Sequence, residues 1–310
     1  MKIGFIKPRN GNTLGARYKY FQLFRKAYDV TWKSRKDFRG IDIAVVPGHH
    51  DKIFRKLNIP YIVSEHDVLT LHRGPGSGRT ALEKELLENA AGVIFTSEEH
   101  QDYCENKYKL KNTTLIHLRP LKSDLEFNFL SKLPGKHLVY SGAAFPNHMR
   151  NSPGGYRCYV HIFHRFIQAG WQVHIYPREA QDFSEYKILG CKIHTKQSQG
   201  RGLYKKLSQY TAGFQGYNKD GVPPHIYSYT QKCRPNKLWE YLAAGIPTIG
   251  YNAGSGGKLY NGKWGTVLTN LNMDTLRNLE LPIITEEMRQ AEVIDNDLQK
   301  LNNLIDKIKG

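Results

Sequence analysis

Short apolar runs alternate with amphipathic stretches from the first residues of the chain. Ile3–Ile6 is apolar and leads into a loop at 9–15 rich in Gly and Asn. Over about 16–27, Tyr20, Phe21, Phe24 and Ala27 share one face at a period of 3.6, which predicts a helix. Strands are predicted at 41–46, 61–64, 92–96 and 114–117, with helices near 51–57, 79–90 and 98–107 between them. Alternation of this kind builds a parallel sheet covered on both faces, because a parallel crossover needs a helix.

The pattern breaks at 122–136, where Leu133-Pro-Gly135 forms a turn. A second series follows: a strand at 137–141, a helix near 155–169, strands at 172–176 and 192–194, and a helix at 202–209. A strand at 212–217, a long loop at 218–233, a helix at 235–244 and strands at 248–251 and 266–268 complete it. The remainder reads as helices, ending with Leu298, Leu301, Ile305 and Ile308 on one face. The fold expected is α/β: two Rossmann-like, doubly wound domains at 1–122 and 123–275 facing a cleft. A helical tail, 276–310, is expected to pack back toward the first domain. Ligands of such sheets bind at the carboxyl ends of the strands, so the loops there are where chemistry belongs.

Composition narrows the function classes. The 310 residues are 40% hydrophobic, enough for globular cores, and no run approaches the length of a membrane span. The opening Met1-Lys-Ile-Gly-Phe-Ile reads as the first strand of a cytoplasmic protein. Four scattered cysteines form no C-x-x-C pair, so neither a disulfide framework nor a zinc knuckle is expected. Charge is more informative. The net +17 concentrates in two blocks, +10 over residues 1–79 and +11 over residues 123–269. Such a surface suits nucleic acid, an anionic membrane surface or phosphorylated substrates.

Three segments carry chemistry. The longest is Arg234-Pro-Asn-Lys-Leu-Trp-Glu-Tyr-Leu-Ala-Ala-Gly-Ile-Pro-Thr-Ile249. A helical Glu240 would accept two hydrogen bonds from a vicinal diol, and Lys237, one turn earlier on the same face, would meet a phosphate. The second is Leu138-Val-Tyr-Ser-Gly-Ala-Ala-Phe-Pro-Asn-His-Met-Arg150, where a glycine turn at Gly142 would present backbone N–H groups to an anion beside Arg150. The third is Pro60-Tyr-Ile-Val-Ser-Glu-His-Asp-Val-Leu-Thr-Leu-His-Arg73, which ends a strand on His66 and Asp67.

Together these segments resemble glycosyltransferases of the two-Rossmann B-type fold, including the large retaining family. The run at 66–73 is similar to that of tailed-phage DNA glucosyltransferases that modify hydroxymethylated bases. The resemblance implies a nucleotide-sugar donor, a UDP-sugar, held by Glu240, Lys237, Arg150, Gly142 and Arg234. It implies catalytic roles for Asp67 and His66, with no obligatory cofactor or metal. One departure stands out: the retaining family carries a second Glu eight positions before Glu240, where this chain has Lys232. The acceptor expected is a hydroxymethylated base in phage DNA, met by Arg73, Lys232, Tyr18 and Lys19. The alternatives are a cell-surface glycan or lipid-linked acceptor, and a non-enzymatic nucleic-acid binder on a degenerate glycosyltransferase scaffold. Retention or inversion stays open.

Other signals are set aside. Asp295-Asn-Asp297 reads as solvated helix surface, and His161 with His164 lacks a third metal ligand. Gly254-Ser-Gly-Gly-Lys258 lacks P-loop spacing, and Gly74-Pro-Gly-Ser-Gly78 reads as a flexible lid.

Overall fold

The computed structural model describes residues 1–7, 14–34, 37–48, 52–66, 68–74, 78–178, 181–195 and 200–310. It contains two compact units, Met1–Leu121 with Ile294–Gly310, and Lys122–Val293.

In the first unit the chain runs β1 (Lys2–Ile6), α1 (Leu14–Arg25), β2 (Asp29–Lys33), β3 (Ile43–Pro47), β4 (Tyr61–Glu65), α2 (Leu69–Arg73), α3 (Gly78–Asn89), β5 (Gly92–Phe95), α4 (Glu98–Lys107) and β6 (Thr113–Leu115). The six strands form one parallel sheet in the order β2-β1-β3-β4-β5-β6. Strands β3, β4 and β5 are buried almost throughout, as expected of parallel strands covered on both faces. An aromatic cluster seats α1 on the sheet: Phe21 stacks on Trp32 at 4.8 Å, and Phe5 meets Phe21 edge-on at 5.4 Å.

The final segment belongs to this unit. In α13 (Leu298–Lys309), Leu301, Leu304 and Ile305 bury in the same core as Phe5 and Phe24. Burial of each is worth about 1.5–3 kcal/mol. The acidic pair just before the helix is no solvated surface. Asp295 pairs with Lys26, while Asp297 is 2% exposed and meets Arg119 at 3.4 Å and Lys300 at 2.8 Å. These carboxylates tie the returning chain down, a pairing that local sequence cannot reveal.

The second unit runs β7 (His137–Ser141), α5 (Val160–Gln168), β8 (Gln172–Tyr176), α6 (Ser184–Ile188), β9 (Lys192–Ile193), α7 (Arg201–Leu207), β10 (Ala212–Gly216), α8 (Pro224–Lys232), α9 (Lys237–Ala243), β11 (Thr248–Tyr251), α10 (Gly254–Tyr260), β12 (Gly265–Leu268), α11 (Met273–Arg277) and α12 (Glu286–Ala291). Its parallel sheet has the order β12-β11-β10-β7-β8-β9. The order reverses between β7 and β10, the topological switch point at which doubly wound sheets open a crevice.

Two elements differ from the pattern-based expectation. Residues 224–232, expected as loop, are the helix α8: Pro224 stands in its first turn, where a missing N–H costs nothing. The glycine-rich stretch at 254–258 is also helical. At Gly254 a Cβ would lie 2.8 Å from the Gln231 backbone, so small residues let α10 approach α8 closely.

Arg289 of α12 holds the end of this unit together. It is 3% exposed, donates to the Ala243 carbonyl at 2.9 Å and the Leu125 carbonyl at 3.1 Å, and lies over the Phe129 ring at 4.7 Å. No helix among the described residues is long and apolar enough to cross a membrane.

Three histidines form a hydrogen-bonded chain across β7, β8 and the end of β9. His137 Nε2 lies 2.9 Å from the Pro134 carbonyl and so donates, which leaves its Nδ1 to accept from His174 Nε2 at 3.0 Å. His174 Nδ1 then accepts from His194 Nε2 at 3.0 Å. Burial first, then His194, His137 and Lys192, push the His174 imidazole from its usual 6.5 down to about 3. Between those values the folded unit binds fewer protons than the unfolded chain, so acid favours unfolding. Stability should therefore fall below about pH 6.5 with a His174 contribution of up to about 1.4 kcal/mol per pH unit, absent in His174→Phe. Urea unfolding of both proteins from about pH 7 to pH 4 checks this, and parallel pH profiles would contradict it.

Candidate active site

The switch point of the second sheet gathers the chemistry of this unit. Strand β7 ends at Ser141, and Gly142 follows with φ of 151°, a backbone conformation that side chains disfavour. Helix α9 crosses beside this turn because Gly213 of β10 has no side chain. A Cβ there would fall 2.3–2.5 Å from the Tyr241 ring. The Tyr241 hydroxyl accepts from the Ser141 N–H at 3.1 Å and donates to the Phe214 carbonyl at 3.0 Å. One tyrosine thus fixes the helix against two neighbouring strand ends.

That clamp brings Lys237, Glu240 and Gly142 together. A Cβ on Gly142 would lie 3.3 Å from Lys237 Nζ and 3.0 Å from the Tyr140 hydroxyl oxygen. Glu240 is fully buried; its Oε1 accepts from Arg178 Nη2 at 2.5 Å and its Oε2 from Ser141 Oγ at 3.2 Å. Arg178, in the loop after β8, is part-exposed above it. Burial pushes the Lys237 ammonium down, and Arg157 and Arg178 add to that through repulsion. Three cations therefore surround one buried carboxylate, an arrangement suited to an anion.

The backbone plays less part than expected. The N–H groups of Gly142, Ala144 and Phe145 are bonded to the Tyr176 carbonyl, Gln181 Oε1 and the Arg157 carbonyl at 3.0, 3.1 and 3.0 Å. Side-chain cations, not these amides, make the site positive. Arg150 does not join them: its Nη2 meets Asp220 Oδ2 at 2.8 Å and its Nε the Asp220 carbonyl at 3.2 Å. Arg234 sits half-buried in the turn between α8 and α9, and Lys232 closes α8. Sequence reasoning missed Arg178, Arg157, Ser141 and Tyr140. Ser141 and Tyr140 stand inside the quoted β7 segment beside Gly142, whereas Arg157 and Arg178 had no local signal at all.

In the first unit, His66 follows β4, with its Nε2 2.9 Å from Ser64 Oγ and its ring edge-on to Tyr20 at 5.6 Å. Asp67 lies outside the described residues, as do residues 75–77 of the expected lid. Arg73 ends α2. Tyr18 is exposed on α1, but Lys19 is buried and donates to the Leu118 carbonyl at 3.0 Å, which holds α1 to the chain beyond β6. Among the described residues no group of three or more His, Cys, Asp or Glu is placed to hold a metal ion.

No protein-family model matches the chain, and no curated protein sequence does. Solved structures do match, over its whole length. AviGT4, a glycosyltransferase involved in avilamycin A biosynthesis, is 10% identical with a TM-score of 0.62, covering 100% of this chain and 98% of its own. An α,α-trehalose-phosphate synthase (UDP-forming) from Burkholderia vietnamiensis is 9% identical with a TM-score of 0.56 and 99% of each chain covered. A glycosyltransferase from Rickettsia africae ESF-5 is 9% identical with a TM-score of 0.57, covering 99% of this chain and 98% of its own. This is the two-Rossmann glycosyltransferase fold. At these identities the likeness is one of fold, so chemistry has to come from the residues at the switch point.

Within the glycosyltransferase fold of this chain, the Gly213–Tyr241 approach is the part most open to test. Gly213→Ala should cost about 1–3 kcal/mol, since backbone and a clamped ring must move apart. Urea unfolding measures it. Wild-type stability would show that the ring yields freely and that α9 is not held by this contact.

Proposed function

We propose that this protein is a glycosyltransferase that moves a sugar from a UDP-sugar to a hydroxyl acceptor. The observation that carries the reading is the cluster of Lys237, Arg178 and Arg157 around Glu240 at the switch point of the second sheet. A diphosphate fits three cations, and its negative charge grows as the sugar leaves, so fixed positive groups stabilise the transition state more than the ground state. Glu240 takes the ribose diol. On donor binding Arg178 exchanges the carboxylate for the diphosphate, and the diol hydroxyls replace it on Glu240. UDP is the nucleotide favoured, because trehalose-phosphate synthases described as UDP-forming share the fold.

Asp67 and His66, at the end of β4, are assigned to the acceptor, with Asp67 as the group that accepts or orients its hydroxyl proton. The acceptor assigned is a hydroxymethylated base in phage DNA. Its support is charge: the +10 and +11 blocks, and exposed Lys52, Arg55 and Lys56 along one short helical turn of the first unit. A base inside a duplex has to be flipped out to be modified, and exposed aromatics such as Tyr18 beside cations suit a displaced strand.

Incubation of the protein with a panel of nucleotide sugars and with hydroxymethylated or plain DNA, read by nucleoside mass spectrometry, tests the reading. Sugar should appear only on hydroxymethylated DNA. Glu240→Ala, with unchanged circular dichroism, should weaken UDP binding about tenfold or more by losing charge-assisted hydrogen bonds, and transfer should go with it. Transfer to a glycan or lipid-linked acceptor instead would move the protein to the surface-glycan class. DNA binding without UDP binding would make it a non-enzymatic binder.

A further inference from the structure

Buried tyrosines resist ionisation, because a phenolate without water is costly. In the second unit Tyr159, Tyr204, Tyr217 and Tyr241 obey that rule, each pushed well above the usual phenol range by burial. Tyr140 does not. Burial pushes it upward as well, yet Lys237 and Arg157, with hydrogen bonds from Lys237 and Tyr159, bring it below the usual value. The geometry agrees. Lys237 Nζ stands 4.0 Å from the centroid of the Tyr140 ring, and the Tyr140 hydroxyl donates to the Ala143 carbonyl at 2.8 Å across the Gly142 turn. Ring packing against Tyr159 at 4.8 Å and Phe163 at 5.9 Å fixes the ring in place.

We propose that Tyr140 is a positioning residue for Lys237, its ring seating the ammonium at the Gly142 turn and its hydroxyl exchanging one proton as an anion enters or leaves. The inference rests on reading this site as the diphosphate pocket. In the empty pocket the surplus of positive charge favours loss of the phenol proton to solvent at alkaline pH, which leaves a phenolate beside the ammonium. An entering diphosphate brings its own negative charge, so the phenolate takes a proton back from solvent and Lys237 turns to the new anion. The charged and titratable groups around the pair are Arg157, Tyr159, Arg178, Tyr217, Glu240 and Tyr241. None of them shares the direct contact that Tyr140 makes with Lys237 over its ring. Arg157 lies instead over the Tyr156 ring at 4.9 Å.

The test is calorimetry of UDP binding in buffers of different ionisation enthalpy, which counts protons taken up, with wild type, Tyr140→Phe and Tyr140→Leu. Wild type should take up protons on binding at about pH 9 and almost none at about pH 7. Tyr140→Phe, which keeps the ring, should bind UDP within a few-fold of wild type near neutrality but lose the alkaline proton uptake. Tyr140→Leu, without ring or hydroxyl, should bind about tenfold more weakly. Proton uptake unchanged in Tyr140→Phe would overturn the proposal, and that variant decides the matter should Tyr140→Leu not fold. If wild type binds no UDP, the diphosphate reading of the pocket fails, and the pair is judged in ligand-free protein by tyrosinate absorbance. Loss of the earliest ionising tyrosine in Tyr140→Phe supports the pair, and an unaltered titration curve removes it.

Discussion

The close approach of helix α9 to the sheet governs everything at the switch point. It depends on the missing side chain of Gly213, which leaves room for the Tyr241 ring, and on the Tyr241 hydroxyl, which bridges Ser141 and Phe214. With α9 held there, residues one turn apart on the helix reach different targets. Lys237 points at the Gly142 turn, and Glu240 lies beneath Ser141. A helix one side chain further from β10 would leave the ammonium short of the turn and the carboxylate open to water.

Such closeness carries an electrostatic cost. Burying a carboxylate is expensive unless it is paired and hydrogen-bonded, and Glu240 has both Arg178 and Ser141. The cations are less well matched. Lys237 is held among Arg157 and Arg178, and its nearest compensation is the face of an aromatic ring. A pocket left with surplus positive charge in a poorly solvated place binds an anion strongly, because the ligand relieves repulsion that folding has imposed. The same surplus explains why a fully buried phenol ionises more readily than its neighbours.

The sheets were legible in the sequence because parallel strands are buried on both faces and read as unbroken apolar runs, as in Ile3–Ile6 and Ile43–Val46. Helices α8 and α10 were not, since a Pro-Pro start and a run of glycines both imitate loops. At the site, Lys237 and Glu240 were legible because three residues on a helix share a face. Arg178 and Ser141 reach Glu240 across 62 and 99 residues, distances that only the strand order bridges. The acidic pair at 295–297 shows the same limit: its partners Lys26 and Arg119 come from far up the chain, so charge that looked solvated is structural.

A structure of the protein with UDP bound tests the central claim most directly, since that claim is the place of one diphosphate. Its oxygens should lie within hydrogen-bond distance of Lys237 Nζ beside Gly142, with Arg178 turned from Glu240 to the phosphates and the ribose hydroxyls on Glu240. UDP bound elsewhere, or bound with the Arg178–Glu240 pair intact and no phosphate near Lys237, would contradict it.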